Sequence, residues 1–212
     1  FAPGMVRDVY DDQAIAERLS GGNPVIGHNR YSTSGSKHKH PQPTRDEAVG
    51  LAGAHNGNLS NTDRLDAFLE KKHIRYGQLN DSERAFQAIG QVLREGKELP
   101  DAVEAVYPLF TGAFSCVASQ GDMMVAFRDP CGIRPLAMGT RSDGGIVFSS
   151  ETCGLDMIGA EYQREVRPGE LVIATSAGVE SRQLAEENAK LDIFEMVYFA
   201  RHDSRLYGKS VN

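Results

Sequence analysis

Residues 49–57 read VGLAGAHNG, a small apolar run that turns polar at His55. A short continuous apolar run bounded by turn residues is typical of a buried strand. Because Asn-Gly favours positive φ, we expect this strand to end in a turn at Asn56 and Gly57. The stretch therefore predicts polar groups where a strand meets a turn, which is a usual position for binding groups.

Upstream of this strand, Asp11 and Asp12 can cap a short helix that carries Ile15 and Leu19. Residues 25–28 are a short strand candidate. Residues 32–47 are polar and contain prolines, so they are predicted to form a long surface loop. Loops of that length in a compact domain are often functional lids.

Three helices and then a series of strands are predicted downstream. Apolar residues at helical spacing mark the helices: Leu65, Phe68 and Leu69 after a cap at Ser60 or Asn61; Phe86, Ile89 and Leu93 after a start at Asp81 or Ser82; Val103, Val106 and Phe110 after Pro100. Turn residues separate most of six strand candidates, at 113–119, 123–128, 136–139, 146–149, 170–175 and 179–183, and a short helix is predicted at 151–158. Strands clustered apart from helices predict an α+β layered fold.

Composition limits the class of protein. The 212 residues are 40% hydrophobic and 25% charged, which suits a globular domain, and the net charge of −6 argues against a nucleic-acid binder. No apolar run approaches a membrane span, and the first residues do not form a signal peptide. Three widely spaced cysteines form no disulfide framework, so we expect a reducing compartment, the cytoplasm. The start at Phe1 suggests a piece of a longer product, although terminal processing would give the same start.

Four residues have complementary chemistry for a free amino acid. Arg30 offers a planar fork for a carboxylate, and Asp81 offers an anion for an ammonium group. The Asn56 side-chain amide and the Gly57 backbone N–H can form an oxyanion hole for acyl transfer. Taken singly, each has an ordinary interpretation: an ion pair for Arg30, a turn for Asn56 and Gly57, and a helix cap for Asp81.

The combination resembles a known family. Residues 28–33 (HNRYST) and 55–59 (HNGNL) resemble the class II glutamine amidotransferases, which are N-terminal-nucleophile hydrolases. Residues 128–136, 150–156, 166–170 and 194–204 narrow the resemblance to the amidophosphoribosyltransferase branch, and it extends from Gly4 to the last residue.

The resemblance implies a fold and a reaction. The family fold is a four-layer αββα sandwich, and an N-terminal Cys attacks the side-chain amide of L-glutamine, with its own α-amino group as the base. The released ammonia travels to a phosphoribosyltransferase domain. There it displaces pyrophosphate from phosphoribosyl pyrophosphate and gives 5-phosphoribosylamine in de novo purine biosynthesis. A homo-oligomer is expected for the full-length protein, and Mg²⁺ is expected in that second domain, with no cofactor or metal in this chain.

The resemblance also implies roles for the residues of this sequence that match the family's motifs. Arg30 is expected to hold the α-carboxylate and Asp81 the α-amino group of glutamine. Asn56 and Gly57 are expected to stabilise the oxyanion, Tyr31 and Thr33 to line the pocket, and residues 34–43 to close over it.

The sequence also departs from the family pattern. It lacks the N-terminal Cys and the first strand, so we expect residues 1–190 to be an amidotransferase type 2 domain that is incomplete at its N terminus. Residues 191–212 are expected to connect to an absent phosphoribosyltransferase domain, and the chain as given is expected to be inactive. Asp192 stands where relatives with an iron–sulfur cluster carry a Cys ligand, which argues against a cluster of that type. Two alternatives stay open: a non-catalytic glutamine-binding or regulatory module on the same scaffold, and a different class II amidotransferase.

Overall fold

The computed structural model describes residues 11–19, 24–29 and 40–211. The predictions for Arg30, Tyr31, Thr33 and most of the lid at 34–43 therefore lie outside the described residues. Within the described part, no helix combines the length and apolar character that crossing a membrane requires.

A six-stranded antiparallel sheet forms the centre of the molecule. Its strands follow the order β1-β2-β3-β4-β8-β9. They are β1 (Thr44–Asp46), β2 (Leu51–Asn61), β3 (Thr111–Gln120), β4 (Met123–Arg128), β8 (Glu170–Thr175) and β9 (Gly178–Gln183). A second sheet of order β6-β5-β7 contains β5 (Ala137–Thr140), β6 (Ile146–Ser149) and β7 (Glu161–Glu165), and β10 (Arg205–Leu206) pairs with β11 (Lys209–Ser210).

Five α-helices accompany the strands in the described part of the chain. They are α1 (Asp12–Leu19), α2 (Asp63–Lys71), α3 (Asp81–Arg94), α4 (Leu99–Val106) and α5 (Thr152–Met157). A 3₁₀ turn at Tyr107–Leu109 follows α4, and a π-helical turn at Glu195–Phe199 lies in the C-terminal segment.

The core shows four layers. Successive side chains of a strand point to opposite faces, and β4 follows this rule: Val125 packs with helices α2–α4, whereas Ala126 packs with the second sheet. On the far side of the second sheet, Ala137 packs against Leu155 of α5. The order helix, sheet, sheet, helix confirms the α+β sandwich of the N-terminal-nucleophile hydrolase type.

The predicted turn at Asn56 and Gly57 is wrong, because β2 runs straight through both residues. Gly57 pairs with Phe114 of β3 and adopts φ 137°. A Cβ atom at Gly57 would lie 2.1 Å from the carbonyl oxygen of Ala113. Glycine is therefore required here by a close approach between two strands and by its positive φ, not by a reversal of the chain.

Four other parts of the chain differ from expectation. Residues 25–28 form no strand, whereas residues 44–46, predicted as loop, form edge strand β1 against β2. Strand β7 was not predicted, because its sequence EYQRE has almost no apolar residue and it is held by pairing with β5. Helix α2 begins after Thr62 rather than after Ser60 or Asn61.

The C-terminal segment packs on the sandwich. Glu195 and Ser204 are buried, and Leu206 is 3% exposed. The domain boundary at residue 190 stays a prediction.

Candidate active site

The edge of β2 that faces away from β3 is the first element of the site. Beyond Gly53, side chains contact this edge: Gln42 Oε1 accepts from His55 N at 2.6 Å, and Asp81 Oδ2 accepts from Leu59 N at 3.1 Å. Alternate residues of an antiparallel strand direct their N–H groups to the same side. The N–H of Gly57, midway between them, therefore points to this edge as well.

Asp81 joins helix α3 to this edge. The helix is capped by Asn80, whose side chain accepts from Glu83 N at 2.8 Å while Glu83 Oε2 accepts from Asn80 N at 2.9 Å. Asp81 is therefore not the cap, and its carboxylate accepts from both Leu59 N and Ser82 N. With its side chain 26% exposed, it offers an oriented anion to a ligand.

His55 is a buried, uncharged residue next to Asp81 and Ser82. Its buried Nδ1 lies 2.9 Å from Ser82 Oγ and 3.8 Å from Asp81 Oδ2. Burial lowers the His55 pKa from 6.5 to about 4, against the opposing effect of the Asp81 charge. The imidazole is therefore uncharged at pH 7, and it does not neutralise the negative charge of Asp81.

The Asn56 side chain points away from the free edge of β2 and toward the second sheet. Its Oδ1 accepts from Arg134 Nη2 at 2.9 Å, and its Nδ2 lies 3.4 Å from Ser150 Oγ. Arg134 in turn donates to Glu195 Oε2 at 2.7 Å. Burial raises the Glu195 pKa, and the Arg134 charge opposes that rise.

Asn56, Gly57 and Asp81 lie along the second half of β2, with the Asn56 amide on the face toward the second sheet and the Gly57 N–H and the Asp81 carboxylate at the free edge. Two adjacent residues offer an amide N–H and a backbone N–H, and a carboxylate lies beside the same strand. Such a set can receive a developing oxyanion and an ammonium group. The expected carboxylate site at Arg30 and the pocket residues Tyr31 and Thr33 lie outside the described residues, so their roles stay predictions.

Several residues of the site were not singled out from the sequence. His55, Arg134, Ser150 and Glu195 lie in segments that carried the family resemblance, but no local pattern assigned them a role. Their function follows only from tertiary contacts, because Arg134 and Asn56 are 78 positions apart in the chain.

The three cysteines are free: Cys116 is buried, and Cys131 and Cys153 are partly buried. Burial raises the pKa of the Cys116 thiol well above its usual range, as expected of a packing residue in β3. Among the described residues, no group of three or more His, Cys, Asp or Glu side chains could hold a metal ion.

Known proteins share this sequence and fold. A family model described as a glutamine amidotransferase domain matches residues 28–156. An amidophosphoribosyltransferase of Synechococcus elongatus is 43% identical over 98% of this chain, which covers 43% of that relative.

Two solved structures superpose over 87% of this chain and 40% of their own. One, described as glutamine phosphoribosylpyrophosphate amidotransferase from B. subtilis complexed with ADP and GMP, is 34% identical with a TM-score of 0.76. The other, described as the allosteric regulatory enzyme of purine biosynthesis, is 35% identical with a TM-score of 0.77. The chain thus spans less than half the length of these relatives. It belongs to the glutamine amidotransferase domain family.

Proposed function

We propose that this chain is the glutamine-hydrolysing part of an amidophosphoribosyltransferase. The observation that carries the proposal is the arrangement on β2: the Asn56 amide lies on the face toward the second sheet, and the neighbouring Gly57 N–H lies on the free edge that the Asp81 carboxylate contacts at Leu59 N. The relatives' names support the same enzyme class.

The reaction places one demand on each group. A cysteine thiolate adds to the side-chain carbonyl of glutamine, and the carbonyl oxygen becomes an oxyanion that Asn56 Nδ2 and Gly57 N stabilise. As the C–N bond of the intermediate breaks, the leaving nitrogen takes the proton that the thiol gave to the α-amino group and departs as ammonia, and water then hydrolyses the thioester to glutamate. Asp81 binds the α-ammonium group, and Arg30 is assigned to the α-carboxylate.

The nucleophile we expect is an N-terminal cysteine. Buried Cys116 does not fit this role, because burial raises the pKa of its thiol well above the usual range. The test below uses a longer version that begins with the cysteine.

We further propose the fate of the ammonia. It passes to a phosphoribosyltransferase domain that binds Mg²⁺, displaces pyrophosphate from phosphoribosyl pyrophosphate, and gives 5-phosphoribosylamine for purine synthesis. The three free cysteines support a reducing compartment such as the cytoplasm, and a homo-oligomer remains our expectation for the full-length protein.

The test is Asn56→Ala in the version that carries the N-terminal cysteine. We expect kcat for glutamine hydrolysis to fall by about 10²–10³, the usual scale for one oxyanion donor, with little change in KM. Asn188→Ala, at an exposed asparagine, is the matched control and should keep the parent kcat. An unchanged kcat in Asn56→Ala would rule out this oxyanion hole. Glutamine binding without hydrolysis in the parent protein would favour the non-catalytic module.

A further inference from the structure

Arg134 is the residue that holds the Asn56 side chain in place. It lies between β4 and β5, its side chain is 18% exposed, and its Nη2 donates to Asn56 Oδ1 at 2.9 Å. Its own carbonyl accepts from Ser115 Oγ at 2.8 Å, and Ser115 is the register partner of Asn56 on β3. Both the backbone and the guanidinium of Arg134 are therefore tied to the strand pair that carries Asn56.

This contact decides which way the Asn56 amide faces. An asparagine amide has one acceptor oxygen and one donor nitrogen, whereas a guanidinium can only donate. With Oδ1 bound to Arg134, Nδ2 must occupy the other position. A flipped amide would set two donors against each other. The Arg134 contact therefore presents Asn56 as a donor, which is the form that an oxyanion requires.

Glu195 holds the other terminal nitrogen of the Arg134 guanidinium. Its carboxylate is 2% exposed and lies 2.7 Å from Arg134 Nη1. The Phe199 ring lies against the same guanidinium, with 5.2 Å between the guanidinium carbon and the ring centroid. A planar fork held by a carboxylate, an amide and a ring has little freedom to rotate.

The neighbour of Asn56 Nδ2 is tied to the same segment. Ser150 precedes Glu151, whose Oε2 accepts from Arg201 N at 2.8 Å and from Ser204 Oγ at 2.9 Å. Residues 195–204 thus contact the Asn56 environment by two separate routes.

We propose that Arg134 and Glu195 are positioning residues for glutamine hydrolysis, which orient the Asn56 amide as an oxyanion donor. Residues 195–204 then belong to the glutaminase site and are more than a connection between domains. This inference rests on the proposed function, because it concerns the same oxyanion hole.

The first test is Arg134→Lys in the full-length protein with its N-terminal cysteine. Lysine keeps the charge opposite Glu195 but loses the fork that bonds two partners at fixed geometry. We expect kcat for glutamine hydrolysis to fall about 10-fold to 100-fold, less than on loss of the donor itself, with KM nearly unchanged. Arg141→Lys is the matched control, because Arg141 forms an exposed ion pair with Asp143.

A double-substitution cycle separates positioning from general damage. If Arg134 acts through Asn56, Arg134→Lys together with Asn56→Ala should be no slower than Asn56→Ala alone. Glu195→Gln should lower kcat in the same direction, and its effect should vanish in the Asn56→Ala background. Multiplicative losses, or a parent-like kcat in Arg134→Lys, would overturn the inference.

The two proposals fail in different ways. If Asn56→Ala lowers kcat but Arg134→Lys does not, the oxyanion hole stands and only the positioning role is lost. If Asn56→Ala has no effect, the proposed function itself fails. Should Arg134→Lys unfold the protein, Arg134→Met combined with Glu195→Gln removes both charges together and is subjected to the same cycle.

Discussion

Replacing His55 by asparagine should weaken the pH dependence of the protein's stability between pH 5 and 6.5. His55 is 4% exposed, and its pKa in the folded protein is about 4 against 6.5 for an exposed histidine. Burial is the main cause, because the desolvated ring disfavours the charged form. Asparagine can keep the hydrogen bond to Ser82 but cannot titrate.

The size and direction follow from proton linkage. Above pH 6.5 the ring is neutral in both states and the contribution to stability is complete. As the pH falls from 6.5 to about 4, the unfolded chain binds a proton that the folded protein refuses, so stability is lost at up to ~1.4 kcal/mol per pH unit. The full loss is about 3 kcal/mol, and it is complete once the folded protein also protonates near pH 4.

The assay is urea unfolding at several pH values between 5 and 6.5, a window above the range in which most carboxylates titrate. The free energy of unfolding of His55→Asn should depend less on pH than that of the parent, whatever its absolute value. His73→Asn is the matched control, because His73 is exposed and adopts φ 57°, a conformation that asparagine tolerates. If His55→Asn keeps the parent's pH dependence, the buried neutral imidazole is refuted.

Two further substitutions test how β2 is built. Gly57→Ala should destabilise the protein by about 1–3 kcal/mol, because its Cβ would lie 2.1 Å from the Ala113 carbonyl oxygen. Gly144→Ala is the control, because Gly144 also has a positive φ but has open space around it. Equal losses of stability in denaturant unfolding would argue against the close approach of the two strands. Phe86, on α3, is 2% exposed and packs against β2, so Phe86→Ala should lower the free energy of unfolding by about 3–5 kcal/mol. Phe194→Ala is the control: Phe194 is 73% exposed, and its loss should change stability by less than ~0.5 kcal/mol. A small loss of stability in Phe86→Ala would mean that this part of the core repacks.

Local signals predicted the elements that turn residues delimit. Strands β4, β6 and β8 occupy the predicted residues because Gly121, Gly145 and Gly169 punctuate the chain next to apolar runs. Helix α3 likewise begins at Asp81, where the capping box of Asn80 and Glu83 stands in the sequence. Such elements are specified by residues close together in the chain, so sequence reasoning can find them.

Elements defined by distant partners were missed or misjudged. Asn56 and Gly57 predict a turn when only their chain neighbours are considered, because the Ala113 carbonyl that requires glycine belongs to a strand more than fifty residues away. Strand β7 exists through its pairing with β5 and has no apolar pattern of its own. The contacts of Asn56 with Arg134 could not be predicted for the same reason.

Each group of the proposed site is held by a different part of the sandwich. The Gly57 N–H is fixed by the β2–β3 ladder, Asp81 by helix α3, and the Asn56 amide by Arg134 near the second sheet. Because these supports are separate, damage to them should have separable kinetic effects. Changes around α3 should act on ammonium binding and therefore on KM, whereas changes around Arg134 should act on the oxyanion and therefore on kcat. A site assembled from a single loop could not show this division.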